Sequence, residues 1–175
     1  MSTSEIVGAA LAAMLVFWII GAYNRLVRLR GAIVRAFAPV DEQIRLRHGI
    51  LQQLLDALTP VLLNATQRLE ALRAAGQQVE SACTHAKVRP GAAGAITSLR
   101  LADEILAEAR ARLPVQGAAG IDLTALNAQL VESDTALAFA RRQFNAAVDE
   151  YNAAVTQFPT VMIVGLFGFH SAVTL

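Results

Sequence analysis

Nineteen consecutive residues without a charge, Ile6 to Asn24, lie between Glu5 and Arg25 and constrain this chain more than any other feature. As a helix rising 1.5 Å per residue the run reaches roughly 28 Å, enough to cross the hydrocarbon of a bilayer. Its core is Ile6 to Ala22, and Trp18 and Tyr23 stand toward one end, where amphipathic rings favour the membrane interface. A cleaved leader would need basic residues ahead of the run, and Ser2, Thr3, Ser4 and Glu5 supply none. The run therefore reads as an uncleaved anchor. Arg25, Arg28, Arg30 and Arg35 follow it closely and no basic residue precedes it, so the positive-inside rule puts the short N-terminus outside and the rest in the cytoplasm. These arginines can also meet anionic headgroups, although setting topology is enough to account for them.

Beyond the anchor the chain changes character. Hydrophobic residues make up 55% of the 175 and charged ones 17%, but much of the apolar content after residue 24 is Ala and Leu at helical spacing. Aromatics are 6% and strand-forming clusters are scarce, which excludes an all-β or doubly wound fold. A net charge of +1 argues against a nucleic-acid partner. Lys87 is the single lysine among fifteen basic residues, a bias that together with abundant Ala points to a GC-rich bacterial genome. Cys83 stands alone, so neither an internal disulfide nor a thiolate zinc cage is available, and its apolar helical face predicts a packed, inert thiol.

Core-type positions recur at Val40, Ile44, Arg47, Leu51, Leu54 and Leu58, then at Leu62, Ala65, Leu69, Leu72, Gly76, Val79 and Cys83. The alternation of threes and fours is a bundle seam with one irregularity at Leu58. Pro60 falls there, with Thr59 as a candidate N-cap, and marks either a reversal or a kink. Pro90, Gly91 and Gly94 close the second segment. A third begins near Ala95 with Leu99, Ala102, Leu106, Ala109 and Leu113, and Pro114, Gly117 and Gly120 form the loop after it. Capped by Asp122 or Thr124, the fourth helix carries Leu123, Leu126, Leu130, Leu137, Phe144, Val148, Tyr151, Val155 and Phe158 before Pro159 stops it. A helix that long must lie along another, and the segment after the anchor is the candidate. The expected architecture is all-α: residues 1–24 as exterior N-terminus and transmembrane anchor, 25–158 as an antiparallel four-helix bundle with long helices, and 159–175 as an apolar tail.

A short motif repeats in the last helix. Phe144-Asn145-Ala146-Ala147-Val148 is followed one heptad later by Tyr151-Asn152-Ala153-Ala154-Val155, and Tyr23-Asn24-Arg25-Leu26-Val27 repeats the pattern at the membrane boundary. Asn is poor in a helix interior unless its amide finds a partner. Beside a core aromatic it is expected to hydrogen-bond across to a neighbouring helix and fix register, with a polar ligand between helices as the alternative.

These residues carry a resemblance to the LemA family. One block runs from Tyr23-Asn24 through Leu26-Val27, Leu29-Arg30, Val34, Ala36-Phe37-Ala38, Val40-Asp41 and Gln43 to Arg47-His48. The other comprises Leu126, Leu130, Leu137, Ala140-Arg141-Arg142, Phe144-Asn145, Val148, Tyr151-Asn152, Val155, Phe158-Pro159 and Gly168-Phe169. Phe37 stands where the family usually has Trp, Gln52-Gln53 replace a common Pro-Asn pair, and residues from about Thr66 to Gly120 match weakly. The resemblance implies a single-pass membrane protein with an antiparallel four-helix bundle and no agreed biochemical activity.

Chemistry is sparse. No phosphate-binding glycine loop is present, and His48, His85 and His170 each lack a second ligand at i+3 or i+4. Asp103, Glu104 and Glu108 form an acidic patch flanked by Arg100 and Arg112, which reads as an ion-paired face. Glu132 and Asp134 do not share a helical face and make no acid/base pair. No catalytic residue, cofactor or metal is nominated. The apolar stretch from Val161 to Phe169 is too short to span a bilayer, and an even helix count would return it to the membrane beside Arg25 and Arg28. The expected function is a membrane-anchored scaffold or adaptor, and the alternative is a tethered sensor binding a small ligand or peptide between helices. Expected partners are the lipid bilayer, a membrane or cytoplasmic protein, and a further copy of the chain as an option.

Overall fold

The computed structural model describes residues 2–62, 65–113, 123–158 and 160–175, apart from the side chains of residues 163 and 166. Five helices follow one another: α1 Thr3–Leu58, α2 Thr66–Val88, α3 Ala93–Ala111, α4 Thr124–Thr156 and the short α5 Val161–Phe167. Among the described residues there is no strand. The apolar run and the first bundle helix are one helix. At 56 residues, α1 extends roughly 84 Å. Ser2 starts it with a capping box, its hydroxyl accepting from the Glu5 N–H while its own N–H donates to the Glu5 carboxylate at 2.8 Å. Pro39 lies inside α1 on the exposed face, where water can take the hydrogen bond that its nitrogen withholds from the Arg35 carbonyl.

Pairings across the bundle fix its topology. Asp56, His48 and Asp41 on α1 meet Arg73, Glu80 and Lys87 on α2, so these helices run antiparallel and Pro60 belongs to a reversal. Thr59 is the C-cap of α1, its hydroxyl donating to the Leu55 carbonyl at 2.6 Å, and α2 starts only at Thr66. The expectation of an N-cap at Thr59 is thus corrected: the hydroxyl turns back onto the helix that precedes it. Arg89 to Ala92 make the tight α2–α3 turn, with Gly91 at φ +92°, a conformation that favours glycine. Asp103 and Arg110 on α3 meet Arg141 and Asp134 on α4, and Phe37 on α1 stacks edge-on against Phe144 with ring centroids 5.6 Å apart. The result is the expected antiparallel four-helix bundle.

All thirteen seam positions from Val40 to Cys83 are buried, in two seams that face each other across the reversal. Leu123, Leu130, Leu137, Phe144, Val148, Tyr151 and Val155 supply the α4 seam. Phe158 does not join it: it is 75% exposed, because α4 ends at Thr156 and the chain turns away. The proposed loop residues Pro114, Gly117 and Gly120, the Asp122 cap and the Pro159 stop lie outside the described residues.

Helix lengths are unequal, and that positions everything functional. α4 has 33 residues, whereas α2 has 23 and α3 has 19. The α2–α3 turn reaches only to the level of Ile33, whose Cγ2 would lie 3.6 Å from a Cβ on Gly91. Below it, toward the apolar end of α1, Leu26 and Leu29 face Tyr151 and Val155 with no α2 or α3 to cover them, yet all four are buried. The chain covers them itself: α5 crosses the base, Gly168 turns in the left-handed region at φ +66°, and residues 169–175 run back up this open side.

Candidate functional site

The groove between the lower turns of α1 and α4 holds residues 169–175 in extended form. Phe169 enters first, 6% exposed, with its ring 5.8 Å from that of Tyr23, which also meets Phe167 at 5.1 Å. Tyr151 donates its hydroxyl to the His170 carbonyl at 3.0 Å. Asn152 then pairs with both backbone groups of Ala172, Nδ2 donating to the carbonyl at 2.9 Å and Oδ1 accepting the N–H at 2.8 Å. Asn145 does the same for Leu175, both bonds at 2.8 Å. On the opposite edge the Val173 N–H donates to the Gly91 carbonyl at 2.9 Å.

This corrects the expectation for the Asn repeat. The amides of Asn145 and Asn152 reach the main chain of the tail, not a neighbouring helix. Asn24, in the third copy of the motif, is exposed on α1. The aromatic partners divide likewise: Phe144 and Tyr151 are core, Tyr23 is a lid for the tail, and Phe158 is exposed. The sequence carried a signal for the amide pair, their one-heptad spacing, but not for its partner.

Register between helices is held by charge instead. Arg47, 6% exposed at a seam position of α1, forms an ion pair with Asp103 of α3 and lies 3.6 Å from Asp134 of α4. Arg141 completes Asp103 at 2.8 Å and Arg110 completes Asp134 at 2.9 Å, so five charges tie three helices together. Burial pushes the Asp103 carboxyl up, but the Arg47 charge and the Arg141 hydrogen bond and charge outweigh it and hold it below the usual carboxylate range. A second cluster joins α1 to α2: Asp41 is buried and accepts from Lys87 at 2.7 Å and Arg45 at 3.1 Å, with Cys83 Sγ at 3.6 Å. Burial and the Asp41 charge push the Cys83 thiol up to about 12, the signature of an inert cysteine. Of the acidic patch on α3, Glu108 pairs with Arg112 at 2.5 Å, and Asp103 turns inward to Arg47.

At the base, Arg25, Arg28, Arg30 and Arg35, expected from the sequence to lie near a membrane, are exposed on α1, and Arg25 reaches Gln157 at 3.5 Å. Trp18, Gly21, Ala22 and Arg25 face Gln157, Phe158 and Thr160 across a recess of about 360 Å³. Toward the N-terminus α1 stands free: Ile6 is exposed, Trp18 is half-buried and Ala22 is the first buried residue. This helix is long and apolar enough to cross a membrane. Among the described residues no three His, Cys, Asp or Glu side chains group as metal ligands.

No curated protein and no solved structure matches this chain. A model of the LemA family matches residues 36–175, beginning inside α1 and running through the tail. With all but the N-terminal part of the chain covered, this protein belongs to the LemA family.

Proposed function

We propose that this protein is a single-pass anchor of the bacterial cytoplasmic membrane whose bundle, on the cytoplasmic side, serves as a scaffold or adaptor through protein and lipid contacts, with no catalysis of its own. Orientation follows from Arg25, Arg28, Arg30 and Arg35 at one end of the apolar run. The observation that carries the adaptor reading is a face left open between α1 and α4, opposite the charge network. There Gly49, Ser133 and Ala136 floor a groove of about 690 Å³. Leu46, 52% exposed, flanks it, and Phe139, 59% exposed, continues the face of Glu132 and Ala136, seven and three residues after them. Small residues beside Leu46 and Ile50, within a rim of Glu42, Arg45, Gln53, Gln129 and Glu132, suit an amphipathic partner helix.

A photo-crosslinking residue at Leu46 or Phe139, activated in intact cells, is expected to capture protein. Adducts with lipid alone, or none, would overturn the reading. A small ligand held by Asn145 and Asn152 is disfavoured, because both amides are consumed by the tail.

A further inference from the structure

Residues 169–175 are held the way a receptor holds a peptide. One pattern is used twice: a side-chain amide meets the N–H and the C=O of a single residue, Asn152 on Ala172 and Asn145 on Leu175. The two amides stand seven residues apart on α4, about 10.5 Å along its axis. Three residues of extended chain rise about 9–10 Å, so the ladder and the strand keep step. A primary amide offers a donor and an acceptor side by side, so each rung reads main chain and is indifferent to the side chain it passes. Main-chain bonds of this kind give affinity, and side-chain pockets give choice.

The choice is written in the resident segment. Phe169 is buried, and Val173 and Leu175 rest on the core. Ala172 lies so near the α2–α3 turn that a Cβ on Gly91 would come within 2.9 Å of its own, whereas His170 and Ser171 face solvent. The required pattern is an aromatic at the first position, a small residue at the fourth and aliphatic residues at the fifth and seventh. Where α1 to α4 hold one another by interlocked apolar seams, this segment adds to its apolar anchors a set of hydrogen bonds through its own backbone. It joins the bundle through Gly168, whose missing Cβ would meet nothing within 4 Å.

We propose that the lower α1–α4 groove is a docking site for an extended segment of another protein with that side-chain pattern, and that residues 169–175 are its tethered competitor. The proposal rests on the adaptor reading and names the chemistry of one partner. A short tether holds the resident at an effective concentration on the order of millimolar. Binding from outside is therefore weak while the tail is attached and tightens when it is removed.

The test uses the full-length protein in detergent with a protease site inserted between Gly168 and Phe169, and a fluorescent heptapeptide of residues 169–175. After cleavage and washing, the peptide is expected to bind at least about tenfold more tightly than to uncut protein. Asn152→Ala should weaken binding to the cut protein by about tenfold, and a peptide with Leu in place of the fourth-position Ala should not bind. Failure of the cut, still helical protein to bind the peptide would overturn the proposal, as would equal binding by the Asn145→Ala, Asn152→Ala double variant. Loss of helicity on cutting would overturn it too, since the segment would then be core and not ligand. These outcomes leave the adaptor reading standing; only the crosslinks at Leu46 and Phe139 decide that.

Discussion

Arg47 sits where a leucine would ordinarily be, and its guanidinium is shared between Asp103 and Asp134. Removing one partner from a buried pair strands the other charge, at a cost of about 3–5 kcal/mol. Asp103→Ala is expected to destabilise the protein by about 3 kcal/mol in a urea titration, and Arg47→Met combined with Asp103→Leu by less than the sum of the two single changes. Acid should act through the same residues. The carboxyls of Asp103 and Asp41 are both held below their ordinary value in the folded state, despite burial, by the cations around them. A carboxyl more acidic folded than unfolded adds stability that is full above about pH 4 and is lost as pH falls through the folded value. The midpoint of unfolding should therefore stay level between about pH 7 and 5 and drop below about pH 4, with a shallower drop in Asp103→Asn. Arg47 was legible as a seam position, but its partners were not. Asp103 and Asp134 lie 56 and 87 residues away, and nothing local to either marks it as turned inward.

At the scale of elements, periodicity identified every long helix because each buries a continuous stripe. It failed where the chain leaves a helix. Phe158 continues the α4 spacing but lies past the last turn, and Thr59 has the composition of an N-cap but the position of a C-cap. The tail could not be foreseen as a docked strand, since its bonds come from backbone groups that every sequence possesses. Gly91 couples the α2–α3 turn to that strand, its φ of +92° and its contact with Ala172 both excluding a side chain. Gly91→Ala should cost at least about 1–2 kcal/mol for the left-handed backbone alone. It should also speed amide exchange at Val173, the measurement that separates lifting of the tail from general destabilisation. Pro39 makes the opposite prediction. Pro39→Ala restores a backbone donor in mid-helix and should raise the stability of α1 by up to about 3 kcal/mol, read as a higher unfolding temperature.

For the whole molecule, α5 and the end of the apolar run meet at one level. Phe158, Val161, Met162 and Phe167 are exposed there beside Arg25 and Arg28, whereas Phe169 is withdrawn into the groove. An exposed apolar foot of this kind beside arginines should let the body from residue 25 onward sediment with anionic vesicles. Replacing Phe158 and Met162 by Ser should lower that binding at least about tenfold, given about 1.5–3 kcal/mol for each large apolar side chain withdrawn from water. Protease added outside intact cells should leave the bundle whole; digestion of the bundle would reverse the orientation argued from the arginines.

Because α1 passes from the apolar run into the core without a break, the angular phase of the bundle relative to the apolar run is set by residue count. Each residue turns the helix by about 100° and advances it 1.5 Å. One alanine inserted between Val16 and Phe17, ahead of the recess at Trp18, would leave the bundle intact yet turn the apolar run before it by more than a quarter-circle against the side on which α5 and the tail pack. Seven inserted residues would nearly restore the phase while adding about 10.5 Å of height. The unbroken helix thus makes this protein a spindle, in which the face presented by the apolar run and the groove that holds the tail are fixed against each other by one residue count.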